Sequence, residues 1–168
     1  MKPFIAVIIF LTIAAVCFAQ SDSVEGFWLS VDENTNKITA GWQIYQENGV
    51  LFGKILSLAD QPRGVIAEPC NPSYRGFPVP GRVNEMPVAG TPWIFGLTRH
   101  RAGEWRGGNI INPEDGRMYH CRITFRQADG RRFQTDTLEV RGEIGLGIGR
   151  SQFWRRADQQ TASNLWPD

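Results

Sequence analysis

The side chains with catalytic or metal-binding chemistry are few and widely spaced. The chain has only two histidines, His100 and His120, and neither has a second ligand beside it at metal-binding spacing. Ser151 lacks the strand-to-helix turn of a nucleophile elbow. Glu114 and Asp115 belong to a Pro-Glu-Asp-Gly segment, where acidic residues serve turn chemistry. The sequence therefore predicts a protein that is not an enzyme and uses no metal or other cofactor.

Aromatic residues are the more informative group, because they suit binding rather than catalysis. The chain has 6 tryptophans, and Trp42, Trp93, Trp105 and Trp154 fall in segments that predict strands. Tryptophans lining a cavity would suit an apolar or amphipathic guest. The alternative is that these tryptophans simply fill a solid core.

The elements that would position these side chains are short strands separated by turn signals. No long window keeps a helical period, whereas alternating apolar and polar residues recur from Gly26 onward. Asn48 and Gly49 are a strong signal for a two-residue hairpin turn. The predicted strands are 26–31, 38–46, 50–58, 93–98, 105–111, 118–127, 133–141 and 148–155. About eight short antiparallel strands predict an all-β barrel or sandwich.

Two strands show which side chains share a face. In 118–127, Tyr119 and Cys121 lie on the apolar face, and His120, Arg122 and Arg126 lie on the charged face, which we expect to meet water. A charged outward face argues against a membrane-embedded barrel, so no membrane span is expected in the mature form.

The last predicted strand places a tryptophan with two polar residues. In a strand, Arg150, Gln152 and Trp154 lie on the same face. This grouping indicates either a polar-lined interior or an aromatic ring covering a cation.

Residues 1–19 resemble a secretory signal peptide. Lys2 precedes the apolar run 4–18, and the small residues Cys17 and Ala19 stand ahead of Gln20. We expect an exported protein, periplasmic or secreted, with a signal peptide at 1–19, a β-barrel domain at 20–156 and a frayed polar tail at 157–168. An uncleaved anchor and lipidation at Cys17 are the alternatives.

The charge balance gives no reason to expect a nucleic acid or an anionic lipid surface as partner. The chain carries 18 basic and 17 acidic side chains, and Lys2 is the one charged residue of the predicted signal peptide. The remaining cysteines, Cys70 and Cys121, either form a disulfide or are buried thiols. The sequence leaves that choice open.

A long proline-rich segment at residues 59–90 interrupts the strand pattern. Proline removes hydrogen-bond donors from a sheet, so this segment predicts a loop. Loops of this length often form lids or binding loops. Tyr74 and Phe77 provide apolar anchors, and the alternative is that they only tether the loop to the domain.

Four motifs together resemble the exported bacterial domain-of-unknown-function family 2147. The motifs are GFW at 26–28, GKI at 53–55, WRGGNIINPEDGRMY at 105–119 and GRSQFW at 149–154. The third is the most specific, because Pro113 and Gly116 fix a turn and with it a hairpin register. The resemblance covers most of the mature chain and implies a small β-barrel similar to lipocalins and fatty-acid-binding proteins. It implies no reaction.

A looser resemblance to lipocalins concerns the two ends of the sheet. Lipocalins carry Gly-x-Trp on their first strand and an arginine on the last strand that covers this tryptophan. Gly26, Trp28 and Arg150 match that pattern, so the resemblance implies contact between Trp28 and Arg150 and a plug at one barrel end.

The sequence thus predicts an exported β-barrel that binds a small apolar or amphipathic ligand. The alternative is a structural or protein-interaction module of the envelope without a small ligand. The candidate residues for lining the barrel or plugging its end are Trp28, Trp42, Trp105, Tyr119, Arg150, Gln152 and Trp154.

Overall fold

The protein folds into a closed antiparallel barrel, which confirms the prediction of an all-β barrel of about eight strands. The computed structural model describes residues 24–145 and 147–167, so the predicted signal peptide lies outside the described residues. The strands are β1 (Gly26–Val31), β2 (Ile38–Glu47), β3 (Val50–Leu58), β4 (Pro92–Arg101), β5 (Glu104–Ile111), β6 (Met118–Arg126), β7 (Thr137–Gly145) and β8 (Ile148–Ala157). Each strand pairs with its sequence neighbours, and β1 pairs with β8 to close the barrel. Among the described residues, no helix has the length and apolarity to cross a membrane.

Turn chemistry sets the hairpins where the sequence predicts them. Asn48 and Gly49 both have positive φ, 51° and 79°, so β2 and β3 are joined by a tight two-residue turn. In the β5–β6 turn, Gly116 has φ 69° and its N–H donates to the Asn112 carbonyl. The register of the central hairpin follows, pairing Ile111 with Met118.

The predicted seventh strand, 133–141, is misplaced, because β7 begins at Thr137. The Asp129 carboxylate accepts hydrogen bonds from the N–H groups of Arg131 and Phe133, and the Asp136 carboxylate accepts one from Ala128. These side-chain bonds compete with strand pairing. Residues 128–136 therefore form a hydrogen-bonded loop.

The barrel is solid toward the end where β1 begins and β8 ends. The side chains in this packed half are nearly inaccessible to solvent: Trp28, Ile44, Leu51, Leu97, Trp105, Ile123 and Leu138.

An arginine closes this end, but it is Arg156 and not the predicted Arg150. The guanidinium of Arg156 lies 4.0 Å from the centroid of the Trp28 ring and donates to the Glu25 carbonyl at 2.8 Å. Trp28 and Arg156 are direct partners in the β1–β8 ladder. Arg150 lies at the other end of β8, so the expected contact between Trp28 and Arg150 is wrong.

The C-terminal segment is docked on the barrel, so the expectation of a frayed tail at 157–168 is wrong for its described part. Asp158 caps a short helix, α1 (Gln159–Ser163), by accepting from the Thr161 N–H. The Ser57 hydroxyl donates a hydrogen bond to the carbonyl of Ala162, and the residue Ala162 is fully buried. A Cβ at Gly41 would lie 1.9 Å from that same carbonyl oxygen, so the absence of a side chain there allows the helix to sit against β2 and β3.

The proline-rich segment is a loop, as predicted, and it packs tightly on the barrel. Phe77 lies 5.4 Å from Phe95 and 6.2 Å from Trp93, measured between ring centroids. The Tyr74 hydroxyl donates to the Gly116 carbonyl at 2.6 Å. The loop is thereby held against both β4 and the central β5–β6 turn.

Candidate functional site: the open end of the barrel

The end of the barrel opposite Arg156 contains a cavity of about 1110 Å³. Every strand except β4 contributes to its walls, and the mouth lies between the β1–β2, β5–β6 and β7–β8 connections and the first part of the proline-rich loop. Ligand sites for small molecules usually enclose a few hundred to about a thousand Å³. The volume therefore suits one small guest.

Two stacked tryptophans form the floor of the cavity. The rings of Trp42 and Trp154 lie 4.6 Å apart between centroids with an interplanar angle of 28°. Each indole N–H is already satisfied, because Trp42 donates to the Ser30 hydroxyl at 3.2 Å and Trp154 donates to the Gln152 side-chain oxygen at 3.1 Å. Their positions are fixed by these bonds, and the ring surfaces remain available for apolar contact.

The strands contribute mainly apolar side chains to the walls, and many of the polar lining residues come from the connections at the mouth. The apolar wall residues include Ala40, Ile55, Leu58, Val88, Ile110 and Val140. On the strands, polar groups come from Ser30, Thr39, Tyr119, Arg150 and Gln152. The connections at the mouth add further polar lining residues, which are Asp32, Asp60, Gln61, Glu68, Asn112, Glu114 and Arg117. An apolar enclosure with a small number of polar side chains is the usual composition of a ligand site.

The mouth is shaped by two similar turns. In the β1–β2 turn the Asp32 carboxylate accepts from the Thr35 hydroxyl and from the N–H groups of Thr35 and Asn34. The hydrogen bonds from Thr35 hold the pKa of Asp32 below its ordinary value. In the β5–β6 turn the Asn112 side chain accepts from the Glu114 N–H in the same way. Both turns are thus held by their own side chains.

The β5–β6 turn also supports the proline-rich loop at the mouth. Cys70 of this loop is buried, and a Cβ at Gly116 would lie 2.9 Å from its Cα atom and 2.3 Å from the Pro69 carbonyl oxygen. Burial raises the pKa of the Cys70 thiol. Cys70 and Cys121 are both free buried thiols, which answers the question that the sequence leaves open.

The seven predicted site residues divide between the two ends. Trp28 and Trp105 lie in the packed half and do not line the cavity. The five that do line it are Trp42, Tyr119, Arg150, Gln152 and Trp154. For β8, the sequence analysis offered either a polar-lined interior or an aromatic ring covering a cation. The structure shows the first, because Arg150 and Gln152 line the cavity together with Trp154.

Sequence reasoning missed the apolar walls of the cavity. Ile55, Ile110 and Val140 are ordinary core residues by type, so composition alone does not distinguish them from packed residues. One usable signal is the small size of inward residues near the mouth, such as Ala40 and Gly142, which leaves space that large side chains fill at the other end.

Outside the cavity, the candidate catalytic groups are not assembled. His120 is exposed on the outer face, as predicted, beside a small cleft of about 230 Å³ that Arg106 and Arg122 also line. Within the part of the chain that the structure describes, no group of three or more His, Cys, Asp or Glu side chains is placed to hold a metal ion.

A closed eight-stranded barrel with one packed end and one hollow end defines a lipocalin-like fold. Among solved structures it is similar to HP1028 from Helicobacter pylori, a protein described as belonging to the lipocalin family, with a TM-score of 0.64 and 17% sequence identity over 84% of this chain and 87% of that chain. At this identity the likeness concerns the fold alone. A comparison with curated protein sequences gave no match.

The family is established by sequence. Residues 26–156 match DUF2147, described as an uncharacterized protein conserved in bacteria, and the chain belongs to this family. The resemblance drawn from the four motifs is thereby confirmed. Its matched region runs from the start of β1 to the penultimate residue of β8.

Proposed function

We propose that this protein is an exported binding protein that holds one small apolar or amphipathic molecule in the open end of its barrel. The observation that carries the proposal is the cavity of about 1110 Å³ with the stacked pair Trp42 and Trp154 as its floor. Export is proposed from the composition of residues 1–19.

The distribution of packing supports binding at one end. The packed half, closed by Trp28 and Arg156, stabilises the barrel without help from a ligand. The other half can therefore be hollow with a limited loss of folding free energy, because strand pairing keeps the barrel closed around its whole circumference.

A neutral fluorescent amphiphile, phenylnaphthylamine, tests the proposal directly. We expect its emission to rise on binding to the purified mature protein, and Trp42→Leu to weaken binding roughly tenfold, because an aromatic contact contributes about 0.5–1.5 kcal/mol beyond its buried area. Trp166→Leu is the matched control, since Trp166 lies outside the cavity beside Arg63. Equal affinities for both variants, or no binding by the wild type, would contradict the proposal.

Two mass measurements complete the test. Native mass spectrometry of protein purified from its own host should detect a retained guest. Intact mass of the exported protein should correspond to a chain beginning at Gln20, whereas an acylated Cys17 would contradict free export.

The alternative, an interaction module of the envelope, is favoured by one observation. Ile144 and Ile148 flank the β7–β8 connection with exposed fractions of 71% and 63%, which is high for large apolar side chains. If the cavity binds no amphiphile, these residues are the first place to look for a protein contact.

A further inference from the structure

The cavity lining includes a cation and a hydroxyl-bearing side chain with no polar partner among the described residues. Arg150 lines the cavity, and among the described residues its guanidinium makes no hydrogen bond or ion pair. Tyr119 also lines the cavity, and its hydroxyl has no hydrogen bond within the described chain. By contrast, Arg101, Arg126 and Arg141 on the outside of the barrel are all paired with glutamates.

Gly142 places these two groups near each other. In the β7–β8 ladder Gly142 is the direct partner of Arg150. A Cβ at Gly142 would lie 3.4 Å from the Cβ of Tyr119. Because Gly142 has no side chain, Tyr119 packs against this part of β7, so Arg150 and Tyr119 both border the same position of the cavity wall.

The same strand connects this polar position to the tryptophan floor. Arg150, Gln152 and Trp154 share the inward face of β8 and all line the cavity. At about 3.3 Å per residue, Arg150 and Trp154 are separated by roughly 13 Å along the strand. The wall therefore changes from charged near the mouth to aromatic at depth.

We propose that the guest is an amphipathic molecule with an anionic head group, which binds Arg150 and Tyr119 near the mouth while its apolar part lies on Trp42 and Trp154. This inference rests on the proposed function and adds the chemical class of the ligand. A guanidinium and a phenol hydroxyl both donate, and an anionic oxygen accepts both hydrogen bonds.

Four carboxylates at the mouth bear on the sign of the head group. Asp60, Glu68 and Glu114 come from connections between strands and are exposed. Asp32 is half-buried, but its carboxylate already accepts hydrogen bonds from Thr35 and Asn34. Solvent and salt screen exposed charges beyond about 8 Å at physiological ionic strength. Arg150 is exposed too, but it stands on the inward face of β8, the strand that also carries Trp154. It is therefore the charged side chain placed between the mouth and the tryptophan floor.

Displacement of phenylnaphthylamine by three ligands with the same alkyl chain tests the inference. The competitors are dodecanoate, dodecanol and dodecyltrimethylammonium, tested at neutral pH and low salt. We expect dodecanoate to bind about tenfold more tightly than dodecanol, and this preference to shrink as salt is added. Dodecyltrimethylammonium should be the weakest of the three.

Two variants assign the preference to the named residues. Arg150→Gln should remove most of the preference for dodecanoate over dodecanol, and Tyr119→Phe should reduce that preference several-fold. Arg131→Gln is the control, because it removes one positive charge from the β6–β7 loop at the opposite end of the barrel. Thermal unfolding of each variant checks that the fold is intact.

The outcomes separate this inference from the proposed function. Equal binding of the acid and the alcohol, tighter binding of the ammonium compound, or a preference unchanged in Arg150→Gln would overturn the anionic head group and leave the binding function standing. Failure of the reporter and all three competitors to bind would overturn both.

Discussion

Replacing Gly116 by alanine should destabilise the protein far more than the same change at another glycine of nearly equal backbone conformation. Gly116 has φ 69° and Gly130 has φ 67°. An added Cβ at Gly116 would lie 2.3 Å from the Pro69 carbonyl oxygen, whereas nothing lies within 4 Å at Gly130. The pair therefore separates backbone strain from steric crowding.

The two contributions can be estimated separately. A left-handed conformation costs an alanine about 1–2 kcal/mol, and this term is common to both variants. Forcing the proline-rich loop away from the turn should cost Gly116→Ala about 1–3 kcal/mol more, as overpacking does in protein cores. We therefore expect a loss of roughly 2–5 kcal/mol for Gly116→Ala and about 1–2 kcal/mol for Gly130→Ala.

Urea unfolding measures the two free energies, and limited trypsin digestion locates the damage. The Tyr74 hydroxyl donates to the Gly116 carbonyl, so displacement of the loop should break that bond and speed cleavage after the exposed Arg75 and Arg82. The cleavage rate in Gly130→Ala should match that of the wild type. Equal destabilisation by both variants, with equal cleavage, would refute the steric argument.

Two further predictions concern charged groups. Arg156→Met should destabilise the barrel by about 2–3 kcal/mol, since it removes a cation–π contact with Trp28 and a charged hydrogen bond. Arg131→Met, in the exposed β6–β7 loop, should cost less than about 0.5 kcal/mol, and similar melting temperatures for both variants would contradict this. Glu104→Gln should cost about 1 kcal/mol at neutral pH and almost nothing at low pH, as measured by chemical unfolding across pH.

The direction of the pH dependence predicted for Glu104→Gln follows from the surroundings of the Glu104 carboxylate. Burial raises the pKa of Glu104, but hydrogen bonds from Arg106 and Arg101 outweigh it and hold the pKa below its ordinary value. A carboxyl group with a lower pKa in the folded state than in the unfolded state stabilises the protein fully at pH values above its unfolded-state pKa. This stabilisation is lost as the pH falls through the folded-state pKa. The partner guanidinium side chains are 71% and 44% exposed, so the effect is small. A cost that persists below the folded-state pKa would contradict this account.

Local sequence signals predicted the strands well, because alternation and turn residues act over a few positions. The hairpin at Asn48 and Gly49 and the central turn at Gly116 occur where their conformational requirements predict. The error at the seventh strand has the same local origin. Asp129 offers its carboxylate to nearby N–H groups, and the strand starts only after that turn is complete.

The wrong assignment of Arg150, rather than Arg156, to the closed end of the barrel has a non-local cause. Arg150 and Arg156 lie an even number of residues apart on β8, so alternation assigns both to the same face. Their depth in the barrel depends on how far β1 and β8 are staggered, and that register joins the two ends of the domain. No nearby residue in the sequence encodes it.

The hollow half of the barrel was equally hidden from the sequence. Trp105 and Trp154 are both buried aromatic residues on strands, yet only Trp154 borders the cavity. Whether a tryptophan is surrounded on all sides depends on residues contributed by several distant strands. The docked tail was missed for a related reason. Helix α1 can approach β2 only because Gly41 has no side chain, and the sequence does not show which distant segment uses that space.

The pairing of β1 with β8 has a consequence for how the chain folds. Every other ladder joins consecutive strands and can form as soon as its hairpin is available, whereas the closing ladder joins residues near the two ends of the domain. Closing so long a loop carries an entropic cost that must be met before the last contacts stabilise it. The barrel is therefore completed only when β8 is present, and until then any sheet already formed has unpaired edges at β1 and at its most recent strand.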